Sequence, residues 1–309
     1  MKECYIHIGY PKTATTFLQR VVFKHNVVSG SFFFFKDSEF LLENIITAPI
    51  GGFNAVAIKH KINQLNTSAK PILISLERLA GNPFQGGVDG ELIANRLKAI
   101  FPEAKILVSI RNQSKMIDAL YKQYIFQGGG HSFQAFLKDT IRSSLFFNLD
   151  YLKFDALIAH YEAHYGRDNI LVLPYELLSN FPNAYFDLLN SFFEFNQLNL
   201  NQFVTSKRLN SSNQISTTAL EFMRFCNGFY STWAQPRRVF PGIKHHKKLR
   251  KHIQGKLGQL LTNKHSEVSY VKLYKKTKQI NNHYADSNYL LAQKFDLDLE
   301  NLGYSMPNL

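Results

Sequence analysis

Cysteine is nearly absent, with two in 309 residues, so no disulfide framework holds this chain. Neither Cys4 nor Cys226 belongs to a pair spaced to hold a metal, and the expectation is a reducing compartment. Long apolar runs are also missing. None reaches the roughly 20 residues that cross a bilayer, and Phe32 to Phe35 is far too short. Met1, Lys2 and Glu3 lead into a brief apolar stretch that stops at Gly9, which is too short for a secretory signal core, so the chain reads as cytoplasmic. Acids are scarce relative to bases: Lys and Arg number 36 against 23 Asp and Glu, for a net charge of +13. Such a surface attracts anionic substrates and repels cationic ones. What is present in quantity is apolar material, 45% of the residues with 19% charged, which excludes disorder for most of the chain and suffices for one large core or at most two small ones.

Five short runs rich in β-branched and aromatic residues have the length and flanks of buried strands: Cys4 to Ile8, Ser31 to Phe35, Ile72 to Leu76, Ile106 to Ile110 and Ile170 to Leu173. Segments with helical spacing lie between them: Phe17, Leu18, Val21, Val22; Leu92, Ile93, Leu97, Ile100; and Ile117, Leu120, Tyr121, Tyr124. Strand alternating with helix predicts an α/β fold, a mainly parallel sheet with helices on both faces and ligands at the strands' carboxyl ends. After about Thr205 the strand signal fades, and Thr217 to Phe225, Leu249 to Leu261 and Ser287 to Phe295 read as helices. The expectation is one domain over 1–309, with an α/β core at 1–205 and a helical cap at 206–309. Within the cap, Arg237 to Lys278 carries thirteen Lys or Arg against one acid, Glu267. This basic segment is either a solvated face or a docking surface for a polyanion or a membrane.

The first strand runs into Gly9-Tyr10-Pro11-Lys12-Thr13-Ala14-Thr15-Thr16, and a helix follows at once with Phe17-Leu18-Gln19. A helix N-terminus placed directly after a strand leaves unpaired N–H groups aimed at one spot, which suits an anion. Lys12 adds a full charge, Thr13, Thr15 and Thr16 add hydroxyl donors, and Gly9 lets the backbone turn. The loop lacks the second glycine of G-x-x-x-x-G-K-[ST], and its lysine comes early. Pro-Lys-Thr-x-Thr-Thr followed by Phe-Leu-Gln resembles the 5′-phosphosulfate-binding loop of sulfotransferases that use 3′-phosphoadenosine 5′-phosphosulfate (PAPS). The resemblance implies a three-layer, P-loop-like sulfotransferase fold with Pro11, Lys12, Thr13, Ala14, Thr15 and Thr16 around the donor.

It also implies a strand ending in an arginine that holds the donor's 3′-phosphate. Ile106-Leu107-Val108-Ser109-Ile110-Arg111 fits, and an arginine fork beside a helix start suits a phosphate dianion. The family usually has a serine eight residues after this arginine, where this chain has Ala119. The lost hydroxyl forfeits a hydrogen bond on the order of 1 to 2 kcal/mol unless a water or a neighbour such as Ser114 compensates. Leu120 to Tyr124 with Gly128-Gly129-Gly130, then Val172 to Leu178, and finally Ser287 to Ala292 with Gly303-Tyr304, look like the bacterial carbohydrate-type branch. Arg208, ahead of a helix, falls where the family closes over the nucleotide.

Sulfuryl transfer of the kind the resemblance implies needs charge stabilisation at the leaving phosphate oxygen, for which Lys12 is suited, and no metal. The acceptor, in this family branch a carbohydrate or glycolipid hydroxyl, needs a base. Glu77 stands at the carboxyl end of the third strand and either serves as that base or pairs with Arg78 or caps the next turn. His60 and His131 are reserves. His160 and His164 flank Glu162 without the H-E-x-x-H order of a zinc site, so a solvated helix face is expected there. The single tryptophan, Trp233, is read as core or as part of an acceptor lid. Two other functions fit parts of the sequence: a small-molecule or nucleoside kinase, which needs Mg²⁺ and ATP, and a non-catalytic polyanion binder using the basic segment.

Overall fold

In the computed structural model the five apolar runs become five strands: β1 (Cys4–Gly9), β2 (Phe33–Phe35), β3 (Ile72–Leu76), β4 (Lys105–Ile110) and β5 (Ile170–Pro174). The structure describes residues 3–28, 30–68, 70–138, 147–194, 217–229, 269–274 and 277–308. All neighbouring strands are parallel, in the order β2-β3-β1-β4-β5. β2 is shorter than the sequence suggests. Its ladder with β3 starts at Phe33 opposite Ile72, where the Phe33 N–H donates to the carbonyl of Pro71, and Pro71 has no N–H to return.

Both faces of the sheet are covered, which is why the strands read as unbroken apolar runs. On one face, Tyr5, Leu73, Leu107 and Leu173 pack with Phe17, Leu18, Val22 and Phe23 of the first helix and with Tyr185, Phe186, Leu189 and Phe193 of helix Pro182–Phe193. The first helix is continuous in three parts: Thr15–Phe17, a wider π turn at Leu18–Val22, then Phe23–Val28. The alternate strand residues Ile6, Ile8, Ile74, Ile106 and Val108 are fully buried on the other face. There helices Gly90–Ile100 and Phe154–Tyr165 pack against each other, and the latter also against β4.

The strand order decides where a crevice opens. From β1 the chain leaves for β2 at one edge of the sheet, and from β4 it leaves for β5 at the other edge. The loops after β1 and β4 therefore diverge at adjacent carboxyl ends, the topological switch point of an open parallel sheet.

The chain groups into two compact units, one of Met1–Gln113, Ser143–Asn210 and Asn281–Leu309, the other of Ser114–Arg142 and Ser211–Ile280. In the second unit the rings of Tyr121, Phe133, Phe136 and Tyr270 pack together, and the Asn227 amide donates to the carbonyls of Ile125 and Gly129. Two of the expected helical segments appear, as Thr217–Asn227 and Thr277–Phe295. Leu249 to Leu261, Arg208, Trp233 and most of the basic segment lie outside the described residues. Among the described residues no helix is long and apolar enough to cross a membrane.

Candidate active site

The loop after β1 is built by backbone strain. Lys12 and Ala14 both adopt the left-handed conformation, at φ 66° and 63°, which costs roughly 1 to 3 kcal/mol each for a residue with a Cβ. Three contacts hold it. The Thr13 hydroxyl donates to the Tyr10 carbonyl at 2.6 Å, the Ala14 carbonyl accepts the first helical N–H, from Leu18, at 3.0 Å, and the Lys12 carbonyl accepts from Arg111 Nη1 at 3.0 Å. With its first bond at Leu18, the helix leaves the N–H groups of Thr15 and Thr16 among its unpaired initial donors. The Lys12 and Thr16 side chains are exposed, whereas Pro11, Thr13, Ala14 and Thr15 are buried.

Two sequence expectations change here. Gly9 is not the residue that turns, because the left-handed positions are Lys12 and Ala14. Gly9 is needed for close approach instead: a Cβ there would meet the Thr15 methyl at 2.3 Å. The hydroxyls of Thr13 and Thr15, expected to face an anion, turn inward, since each hydrogen is donated to a protein acceptor.

The Thr15 hydroxyl donates to Glu77 Oε1 at 2.6 Å, which ties the end of β3 to the loop. Glu77 does not pair with Arg78, whose Nη2 instead meets Asp89 at 3.0 Å. The half-buried Glu77 carboxylate is thus oriented by the loop that carries Lys12.

Arg111, at the end of β4, is held by two contacts and keeps one donor unused among the described residues. Nη1 reaches Lys12, the guanidinium lies over the Tyr175 ring with its carbon 4.8 Å from the centroid, and Nε is buried without a partner among the described residues. The next residue is clamped: the Asn112 N–H donates to Glu176 Oε1 at 3.2 Å and its side-chain amide to the Gly303 carbonyl at 2.6 Å. Tyr304 donates to the other Glu176 oxygen at 2.9 Å. Gln113 continues the clamp by donating to Asn288 Oδ1 at 2.6 Å. Glu176, Asn288 and Tyr304 fall inside the family-like stretches Val172 to Leu178, Ser287 to Ala292 and Gly303-Tyr304, and the structure shows all three buried.

Beneath the loop His7 is fully buried between two hydroxyls, with Nδ1 2.7 Å from Ser75 Oγ on β3 and Nε2 2.9 Å from Ser109 Oγ on β4. Burial pushes its imidazole down to about 3, so it is neutral at ordinary pH. Below pH 6.5 the unfolded chain takes up a proton at this residue that the folded chain refuses, so stability present above that pH is lost as pH falls toward 3. In this window His7 contributes a slope approaching 1.4 kcal/mol per pH unit. Urea unfolding at pH 7, 6 and 5 is expected to show that slope reduced by about one proton in His7→Gln; an identical slope in both proteins would disprove it.

The remaining candidates have surroundings of their own. His60 is exposed on helix Ala55–Leu65, and His131 belongs to the second unit, stacked on Tyr124. His164 bonds Asn95 at 2.7 Å and Glu162 pairs with Lys294. Among the described residues no group of three or more His, Cys, Asp or Glu could hold a metal ion.

Fold and loop together define the class: a parallel α/β protein, covered on both faces, with a strained strand–loop–helix turn and an arginine-ended strand meeting at the switch point. No family model and no curated protein sequence matches the chain. Among solved structures it is similar to a sulfotransferase from Alicyclobacillus acidocaldarius, at 15% identity and a TM-score of 0.46, covering 74% of this chain and 94% of that one. A mouse sulfotransferase, SULT7A1, solved with PAP is 13% identical at a TM-score of 0.42, covering 97% of this chain and 88% of that one. The sulfotransferase domain of the curacin biosynthetic pathway is 11% identical at 0.43, covering 83% and 98%.

Proposed function

We propose that this chain transfers a sulfuryl group from PAPS to a hydroxyl of a carbohydrate or glycolipid acceptor. One observation carries the reading: the left-handed Lys12–Ala14 loop rests on Arg111, whose buried Nε has no acceptor among the described residues. A buried guanidinium donor without a protein acceptor is costly and suits a phosphate oxygen. The exposed Lys12 ammonium beside helix-initial N–H groups suits a second anionic group.

When bound, the donor supplies an activated sulfuryl group for in-line transfer to the acceptor oxygen. Lys12 neutralises charge developing on the leaving phosphate oxygen, aided by the Thr15 and Thr16 N–H groups and the exposed Thr16 hydroxyl. Pro11, Thr13 and Ala14 shape the cradle. Arg111 binds the 3′-phosphate, and Arg208 is a further phosphate contact in the same reading. The Glu77 carboxylate, oriented by Thr15, takes the proton from the acceptor hydroxyl as its oxygen bonds to sulfur. Charge is met by Lys12 and Arg111 without a metal. The acceptor class rests on the likeness of Leu120 to Gly130 and Val172 to Leu178 to the bacterial carbohydrate-type branch.

Thermal unfolding tests the reading. 3′-Phosphoadenosine 5′-phosphate (PAP) at a hundred times its Kd should stabilise the protein by about 2.7 kcal/mol, and ATP with Mg²⁺ should not. Lys12→Ala and Arg111→Ala should each shrink the PAP effect. Protection by ATP with Mg²⁺ and none by PAP would replace this reading with a kinase.

A further inference from the structure

Three strands carry the candidate site residues at their carboxyl ends: β1 leads to Lys12, β3 to Glu77 and β4 to Arg111. One side chain touches all three strands. His7 projects from β1, and its ring nitrogens meet Ser75, two residues before Glu77, and Ser109, two residues before Arg111. Ser75 is opposite His7 in the β1–β3 ladder, and Ser109 is opposite Gly9 in the β1–β4 ladder. The Gln19 side-chain amide, on the helix that follows the loop, donates to both Ser75 Oγ and the Ser75 carbonyl, at 3.0 and 3.1 Å. His7 also sits under the loop itself, since a Cβ on Gly9 would be 3.4 Å from its Cε1 and Nε2.

In strands that are apolar on both faces a slip still leaves apolar side chains on apolar faces, so binary patterning by itself marks register less sharply than a buried polar contact does. A polar group buried among apolar residues has no such freedom. The imidazole offers one donor and one acceptor on opposite edges, and each needs its hydroxyl partner at a fixed height along the sheet. We infer that His7 is a positioning residue: the Ser75–His7–Ser109 bridge, anchored by Gln19, holds the ends of β1, β3 and β4 level so that Lys12, Glu77 and Arg111 converge. Its effect on turnover rests on the sulfuryl-transfer reading, whereas its effect on loop geometry does not.

The test compares His7→Phe with the triple variant His7→Phe/Ser75→Ala/Ser109→Ala. The single variant leaves two hydroxyls buried without their partner and should lower Tm. The triple variant removes those hydroxyls and should recover most of the loss, because an apolar replacement of all partners is close to neutral. If the bridge positions the site, the triple variant stays about ten- to a hundredfold down in kcat/KM at its recovered Tm. Its backbone amide signals at Gly9 to Thr16 and at Arg111 should also move relative to the unsubstituted protein. Recovered Tm with full kcat/KM would overturn the inference, as would unmoved loop amides. If neither variant folds, Gln19→Ala, which removes only the anchor, should move the same amides, and unmoved amides there would overturn it too. If the unsubstituted protein shows no transfer from PAPS, the function reading falls, and the amide signals alone decide the bridge.

Discussion

Lys12→Gly is expected to lower sulfuryl transfer by about 10²- to 10³-fold while Tm stays level or rises. The two effects come from different atoms of one residue. In the sulfuryl-transfer reading, loss of the ammonium removes the loop's full charge from the place where negative charge develops, and the donors that remain, the exposed Thr16 hydroxyl and the Thr15 and Thr16 N–H groups, are neutral, while the Thr13 and Thr15 hydroxyls donate inward. Loss of the Cβ relieves the left-handed strain at φ 66°, a gain of about 1 kcal/mol or more, while the freer unfolded chain costs about 0.4 to 1 kcal/mol in return. The net change in stability is therefore small and favourable. Lys12→Ala should match the rate loss and keep the strain. Steady-state kinetics and thermal unfolding of both variants check this, and a rate within tenfold of the unsubstituted protein would remove Lys12 from the chemistry.

Glu77→Gln is expected to lower turnover by about 10²- to 10⁴-fold with PAP binding nearly unchanged. Glutamine keeps the carbonyl oxygen that accepts from Thr15, so the 2.6 Å tie between β3 and the loop survives, and only the ability to take a proton is lost. Glu77→Ala is a poorer probe. It strands the buried Thr15 hydroxyl, at a cost of about 1 to 3 kcal/mol, and so mixes loop disorder with lost base. Calorimetric titration with PAP beside turnover measurements separates the two, and unchanged turnover in Glu77→Gln would exclude Glu77 as the base.

Several features were readable because they are local. Burial on both faces demands apolar residues at successive strand positions, so Ile72 to Leu76 and Ile106 to Ile110 announce themselves. The loop from Gly9 to Thr16 is continuous in the chain, and its meeting with Glu77 and Arg111 follows from their places at strand ends. Its strain was not readable, because Lys12 and Ala14 carry no local preference for the left-handed region. Nor was the inward turn of Thr13 and Thr15, which depends on acceptors that only the folded backbone and Glu77 supply.

Patterning along the chain determined five buried strands alternating with helices, and from that alternation a mainly parallel sheet, because strand and helix periods are set by neighbouring residues; the family resemblance then singled out Lys12 and Arg111 at two strand ends. Tertiary structure alone decided that the Asn112 N–H meets Glu176, 64 residues away, that Glu176 meets Tyr304, 128 residues away, and that His7 bridges Ser75 and Ser109. The physical reason is that a buried polar group must find its partner wherever the fold puts one, and no pattern along the chain records that distance.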